Sequence, residues 1–155
     1  MIASKNEFKI LETHDPEDSF YDRQQRIDWW SQEKLRKAKV MVVGAGAIGN
    51  EVLKNLALLG VGNIFIADFD KISKSNLSRT VLFGRKDIGK KKAEIAAKAT
   101  KKLCLEDEAN VDWFHGDVVW ELGVGIFRQM DLVLGCLDNI EARICLLYTS
   151  PSPRD

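Results

Sequence analysis

Three glycines at a fixed spacing, Gly44-x-Gly46-x-x-Gly49, stand just before a pair of acids, Asp68 and Asp70. Glycines in this pattern make a turn tight enough for backbone N–H groups to reach a phosphate. The first permits the turn, the second lets backbone approach the ligand, and the third lets the following helix pack closely on the strand. A helix N-terminus adds unpaired N–H groups and the positive end of a dipole. An acid about 20 residues beyond the turn can accept hydrogen bonds from ribose hydroxyls, and Asp68 stands there. These features alone suit a nicotinamide dinucleotide and ATP equally.

The next stretch separates the two. After Asp68 and Asp70 come Asn76 and Arg79, then Lys90, Lys91 and Lys92. A hydride-transfer enzyme has little use for so many cations beside a diphosphate. A reader of a 2′-phosphate would place Arg by the ribose and lose the acid, which here is kept. Cations with Asn and Asp suit a magnesium-bound triphosphate whose leaving pyrophosphate develops charge. ATP is therefore the expected ligand, and an NAD-dependent oxidoreductase is the alternative. A third cluster, "CLDN" at 136–139, puts Asp138 just past an apolar run. In the crevice at the strand ends it can hold Mg²⁺ against phosphate oxygens, or equally cap the next helix as an ordinary loop acid.

These residues need elements to position them. "VMVV" (40–43) is a short apolar run, as expected for a strand buried on both faces. Ile48, Val52, Leu53, Leu56 and Leu59 give the next helix an apolar stripe that Gly60 stops. Strands are expected at 63–70, 110–118 and 131–139, a helix over 86–105, another across Tyr21–Lys37, and a short helix or loop between Val119 and Met130. The alternation is that of an α/β fold, Rossmann-like, with a mainly parallel sheet and flanking helices. Only the first half of a doubly wound sheet is present, so the fold is expected to be truncated after about the fourth strand.

Composition bounds the rest. Lys+Arg and Asp+Glu both number 23, so no global field argues for nucleic acid or membrane. No apolar run reaches the length of a membrane span, and the N-terminus lacks a secretory signal. Cys104, Cys136 and Cys145 show no CxxC spacing and suit reduced thiols in a cytoplasmic protein. His14 and His115 have no partner at metal or triad spacing. Residues 1–19 form a polar leader and 20–144 the nucleotide-binding domain, left incomplete. The final "CLLYTSPSPRD" (145–155) shifts abruptly to Ser and Pro. It matches, residue for residue, a translation of a transposon-end adapter used in sequencing libraries, and is expected to be read-through in place of native sequence after about Arg143.

Four pieces together carry a family resemblance: "YDRQ" (21–24), "GAGAIGNEVLKNLALLGVGNIFIADFD" (44–70), "SNLSR" (75–79) with "DIGKKKAE" (87–94), and "CLDNIEAR" (136–143). The chain from Tyr21 to Arg143 resembles the E1-like family of ThiF, MoeB and HesA type. The resemblance implies adenylation of the C-terminal carboxylate of a ubiquitin-like or sulfur-carrier β-grasp protein, with Mg-ATP consumed and pyrophosphate released. It implies that Gly44, Gly46 and Gly49 cradle ATP, that Asp68 takes the ribose beside Asp70, and that Asn76, Arg79 and Lys92 contact phosphates. Asp138 would hold magnesium. Arg23 would reach the ATP of a partner protomer, which implies a homodimer or an E1-like heterodimer. Ala47 stands where many relatives have glycine, and Thr80 where many have glutamine. The family's transfer cysteine and zinc cysteines would lie past Arg143. A sheet cut after its fourth strand exposes apolar edges and lacks half the family's core, so the 155-residue chain alone is expected to be unstable and inactive. A relative acting on a tRNA-borne carboxylate and a non-catalytic scaffold subunit are the other readings.

Overall fold

In the computed structural model, residues 19–149 are described. The chain divides into two units, Met1–Gln32 and Glu33–Asp155. In the first, the helix expected across Tyr21–Lys37 is replaced by a single turn, α1 (Asp22–Gln25), and α2 begins only at Gln32, running to Lys37. Between them, the Ile27 and Trp30 amides donate three residues back, to Gln24 and Ile27 carbonyls. Such tight turns replace an α-helix where aromatic and β-branched residues crowd the backbone. Trp29 is exposed, and half-buried Trp30 donates its indole N–H to Gln32 Oε1 at 3.0 Å.

The second unit holds a four-stranded sheet in the order β3-β2-β1-β4, every pair parallel. The strands are β1 (Lys39–Val43), β2 (Asn63–Ala67), β3 (Asn110–Phe114) and β4 (Leu132–Gly135). Each expected strand exists, but β2, β3 and β4 are shorter than expected, because the polar residues at their carboxyl ends leave the sheet to form loops. Strand β1 is central and its Met41, Val42 and Val43 are fully buried, as a run covered on both faces must be.

One face carries α3 (Ala47–Leu58) and α4 (Lys92–Leu103). Leu53, Ala93, Ala96 and Ala97 pack there with Val40, Val42, Ile64 and Ile66. The other face carries α5 (Val124–Phe127) and α6 (Ile140–Thr149), whose Phe127 and Leu146 meet Met41, Val43 and Ala67. The α6 helix runs through Arg143 and Cys145 without a break. Among the described residues no helix is long and apolar enough to cross a membrane.

Two expectations are corrected here. On α3, Leu53 is buried and Val52 and Leu56 pack against the core as expected, but Gly49, Asn50 and Ala57 are the helix's other buried residues and Ile48 is 62% exposed. And α4 begins at Lys92, not at 86. A 3-10 turn at Arg85–Asp87, tied by Asp87 Oδ2 accepting the Gly84 N–H at 3.0 Å, is followed by Gly89 at φ 85. A left-handed glycine cannot continue a helix, so the chain turns back before α4 starts.

Candidate functional site

The glycine turn joins β1 to α3 at the carboxyl edge of the sheet, and two of its glycines are required by contact. Gly44 has φ 96, and a Cβ there would lie 2.7 Å from the Cys136 carbonyl oxygen. A Cβ on Gly49 would lie 1.9 Å from the Gly44 carbonyl oxygen, so α3 sits directly on the turn. Gly46 differs, since a Cβ there would meet nothing within 4 Å. Its open side faces a cavity of about 380 Å³ that gathers loops from all four strand ends.

Eight of the expected residues line that cavity: Gly44, Gly46, Asp68, Asp70, Asn76, Arg79, Lys92 and Asp138. Gly49 does not, because it is spent on packing beneath the turn. Arg23 lies exposed on α1, in the first unit.

Asp68 is buried, and each carboxylate oxygen accepts one backbone N–H. Oδ2 takes that of Ala45 at 2.7 Å and Oδ1 that of Asp70 at 2.7 Å. Burial nevertheless outweighs these bonds and pushes the carboxyl above its ordinary value. Each oxygen keeps one lone pair, so Asp68 can brace the glycine turn and still accept a hydroxyl.

Asp70 is paired with Lys92. The ammonium is buried to 10% side-chain exposure and donates to Asp70 Oδ2 at 2.6 Å, and the Lys92 N–H donates to the Asp70 carbonyl at 2.9 Å. The first residue of α4 is thereby fixed to the end of β2. Arg79 is exposed and anchored by Nη1 to the Ser75 carbonyl at 3.1 Å. Asn76 uses Oδ1 to accept the Ser73 N–H at 2.9 Å, which leaves its two Nδ2 donors for a ligand.

Asp138 stands exposed in the loop between β4 and α6. The helix-capping role falls to its neighbour, Asn139, whose Oδ1 accepts the Glu141 N–H at 2.8 Å. Arg143 holds the same loop by donating Nε–H to the Leu137 carbonyl at 2.6 Å. Among the described residues no three His, Cys, Asp or Glu side chains converge as a metal site. A hard cation beside Asp138 would need phosphate and water oxygens to complete its shell, which is how magnesium is usually held beside a nucleotide.

Residues 21–150 match the ThiF family. The chain belongs to that family. It is 47% identical over 125 residues to SUMO-activating enzyme subunit 2 of Dictyostelium discoideum, covering 77% of this chain and 19% of that protein. It is 39% identical over 167 residues to ubiquitin-activating enzyme E1 1 of Candida albicans, covering 97% of this chain and 16% of that protein. The chain thus spans less than a quarter of the length of these curated relatives. Two solved structures of Escherichia coli MccB share the fold. The complex with ATP has a TM-score of 0.66 at 28% identity, covering 80% of this chain and 38% of that one. The complex with AMPCPP and MccA has a TM-score of 0.69 at 27% identity, covering 84% and 41%.

This ThiF-family site also contains residues that motif reading passed over. Asn50 is fully buried. Its Nδ2 donates to the carbonyls of Ala45 and Gly46, both at 2.9 Å, and its Oδ1 accepts the Leu82 N–H at 2.9 Å. The signal existed, for Asn50 shares a helix face with Leu53 and Ala57, and a polar group on a buried stripe must be bonded. Asp117, Val118, Val119 and Trp120, in the loop after β3, line the cavity as well. No motif marks them. The half-buried Cys136 lines it too, with a thiol pushed up by burial, as befits a packed thiol and not a nucleophile.

Proposed function

We propose that this chain is the nucleotide-binding part of an ATP-dependent adenylyltransferase acting on the C-terminal carboxylate of a ubiquitin-like or sulfur-carrier protein. One observation carries the reading. The glycine turn, the cations Arg79 and Lys92, and the exposed carboxylate of Asp138 border a single cavity. Relatives named as SUMO-, NEDD8- and ubiquitin-activating enzymes, and the ATP in the MccB structure, support it.

On this reading the Gly46 side of the turn and the N-terminus of α3 take the triphosphate. Asp68 accepts a ribose hydroxyl. Asp138 would hold Mg²⁺, which would supply positive charge beside the phosphates. A carboxylate oxygen of the carrier attacks the α-phosphorus, an acyl–phosphate bond forms, the bond from the α-phosphorus to the bridging oxygen breaks, and pyrophosphate leaves with the electron pair. Charge grows on the leaving group, and Arg79, Asn76 and Lys92 neutralise it. Lys92 must turn from Asp70 toward phosphate to do so. Arg23 acts on the nucleotide of a partner protomer, in a homodimer or an E1-like heterodimer.

Titration calorimetry with Mg-ATP and with NAD⁺ tests the nucleotide class. Saturable binding of Mg-ATP and none of NAD⁺ is expected, and the reverse order would overturn the proposal. In the whole protein, ATP–pyrophosphate exchange that requires the carrier's free C-terminal carboxylate tests the reaction.

A further inference from the structure

Of the buried residues of α3, only Asn50 carries a polar side chain. Its three hydrogen bonds all go to backbone, and they reach two segments that border the cavity. Nδ2 donates to the Ala45 and Gly46 carbonyls, each at 2.9 Å, and Oδ1 accepts the Leu82 N–H at 2.9 Å. In a trans peptide the N–H points away from the C=O. Drawing those two carbonyls inward onto Asn50 therefore turns the Gly46 and Ala47 N–H groups outward, where both residues line the cavity. An N–H turned that way attracts an anion, and a carbonyl in its place would repel one. The second segment carries the other phosphate contacts. Leu82 lies three residues past Arg79, and buried Thr80 between them donates Oγ1–H to the Asn76 carbonyl at 2.9 Å.

We propose that Asn50 is a positioning residue: it sets the spacing between the N–H groups of the glycine turn and the Asn76–Arg79 segment, so that both meet one triphosphate. The proposal rests on the nucleotide reading above and adds to it a residue that never touches the ligand. Asn50 is fully buried and takes no part in the cavity wall, so its effect on binding travels through the groups it holds. The turn is gripped from two sides. Asp68 Oδ2 accepts the Ala45 N–H at 2.7 Å from the end of β2, and Asn50 takes the carbonyl of the same residue. The bonds of Asn76 and Arg79, to Ser73 and Ser75, are local and fix the shape of their segment but not its place. Leu77, Leu82 and Phe83 press that segment onto the core, yet apolar contact is non-directional. The Leu82 bond to Asn50 spans 32 residues of sequence and adds a defined distance and angle.

The test is a double-variant cycle in the whole protein, read by calorimetry with Mg-ATP and by Tm. Asn50→Leu removes all three hydrogen bonds with little change of volume, and Arg79→Ala removes a phosphate contact. Each alone is expected to weaken Mg-ATP by about tenfold. In the Arg79→Ala background, Asn50→Leu should cost a factor at least about threefold smaller, because a group it positions is gone. Its loss of Tm should be the same in both backgrounds. If the two affinity losses multiply, or if Asn50→Leu lowers Tm and binds Mg-ATP as the parent does, Asn50 serves packing alone and the proposal is wrong. Should Asn50→Leu not fold, Thr80→Val takes its place in the cycle, since it cuts the same linkage by one hydrogen bond. The same shortfall is expected there, and losses that multiply, or no loss of affinity, would again overturn the proposal. If the parent binds no Mg-ATP, or Arg79→Ala binds it as the parent does, the nucleotide reading of these residues fails, and this inference with it.

Discussion

The two flanks of the cavity are built differently. On the β1–β2 flank, Gly44, Gly49, Asn50 and Asp68 are buried and either packed against or bonded to backbone. On the β3–β4 flank, Trp120 and Asp138 stand exposed on loops whose folding is secured by their neighbours, Val118 and Asn139. On the first flank the residues that make the site also make the fold. On the second, chemistry and folding fall to adjacent residues, so a substitution there can remove one and spare the other.

The largest effect expected from this contrast is at Gly49. A methyl group 1.9 Å from the Gly44 carbonyl cannot be accommodated by a side-chain shift, because the obstacle is backbone. Gly49→Ala should cost about 3 kcal/mol of stability or more, read as a large fall in Tm. Gly46→Ala, with open space and φ −74, should keep stability within about 1 kcal/mol and lose ATP affinity instead. Equal stability losses in the two variants would break the comparison on this flank.

Asp138→Asn is the matching change on the other flank. It should leave Tm within about 2 °C, as a surface substitution does, and, if Asp138 holds the metal as proposed, weaken Mg-ATP by about 10- to 100-fold. Affinity for ATP in chelator should not change, and a parallel loss there would mean that Asp138 serves the fold or the phosphates and not a cation. Lys92→Ala should fall between the flanks. It removes the buried ammonium that pairs with Asp70 at 2.6 Å, so both Tm and ATP affinity should drop, the latter by about tenfold. A Tm loss without any change in affinity would reduce Lys92 to a structural ion pair.

The same contrast explains what is legible in the sequence. Gly44 and Gly49 are legible because backbone geometry demands glycine, and β1 because four consecutive apolar residues buried on both faces leave few other readings. The fold class comes from such local signals. The start of α4 is not legible, since "KDIGKKKAE" has helical composition. Only the tertiary demand that Lys92 meet Asp70, 22 residues earlier, places Gly89 in a left-handed turn ahead of it. Ile48 reads as core because its spacing fits an apolar stripe, yet the turn rotates α3 so that Asn50 faces inward and Ile48 faces the cavity. Trp120 is not legible as a cavity residue, because its place depends on β3 pairing beside β2, a contact with no local trace.

The smallest predicted effect concerns two carboxylates with opposite shifts. Burial raises the Asp68 carboxyl above its ordinary value near 3.8. Asp87 is lowered below the same value, first by the hydrogen bond from Lys90, at 2.9 Å, and then by the Gly84 N–H. Their contributions to stability therefore run in opposite directions. Asp68 contributes most below its unfolded value and loses that contribution as pH rises through its raised folded value. Asp87 contributes above its unfolded value and loses it as pH falls through its lowered one. The Lys90 side chain is 50% exposed, so salt and water screen the Asp87 effect and keep it small. Carboxyl carbon NMR should find Asp68 titrating above about 3.8 and Asp87 below it, and Asp87→Asn should blunt the loss of Tm between about pH 4 and pH 3. An Asp68 that titrates below Asp87 would mean that the bonds from Ala45 and Asp70 outweigh burial. The glycine turn would then be braced by a carboxylate stabilised in its charged form, and the β1–β2 flank would gain stability on ionisation where a loss is expected.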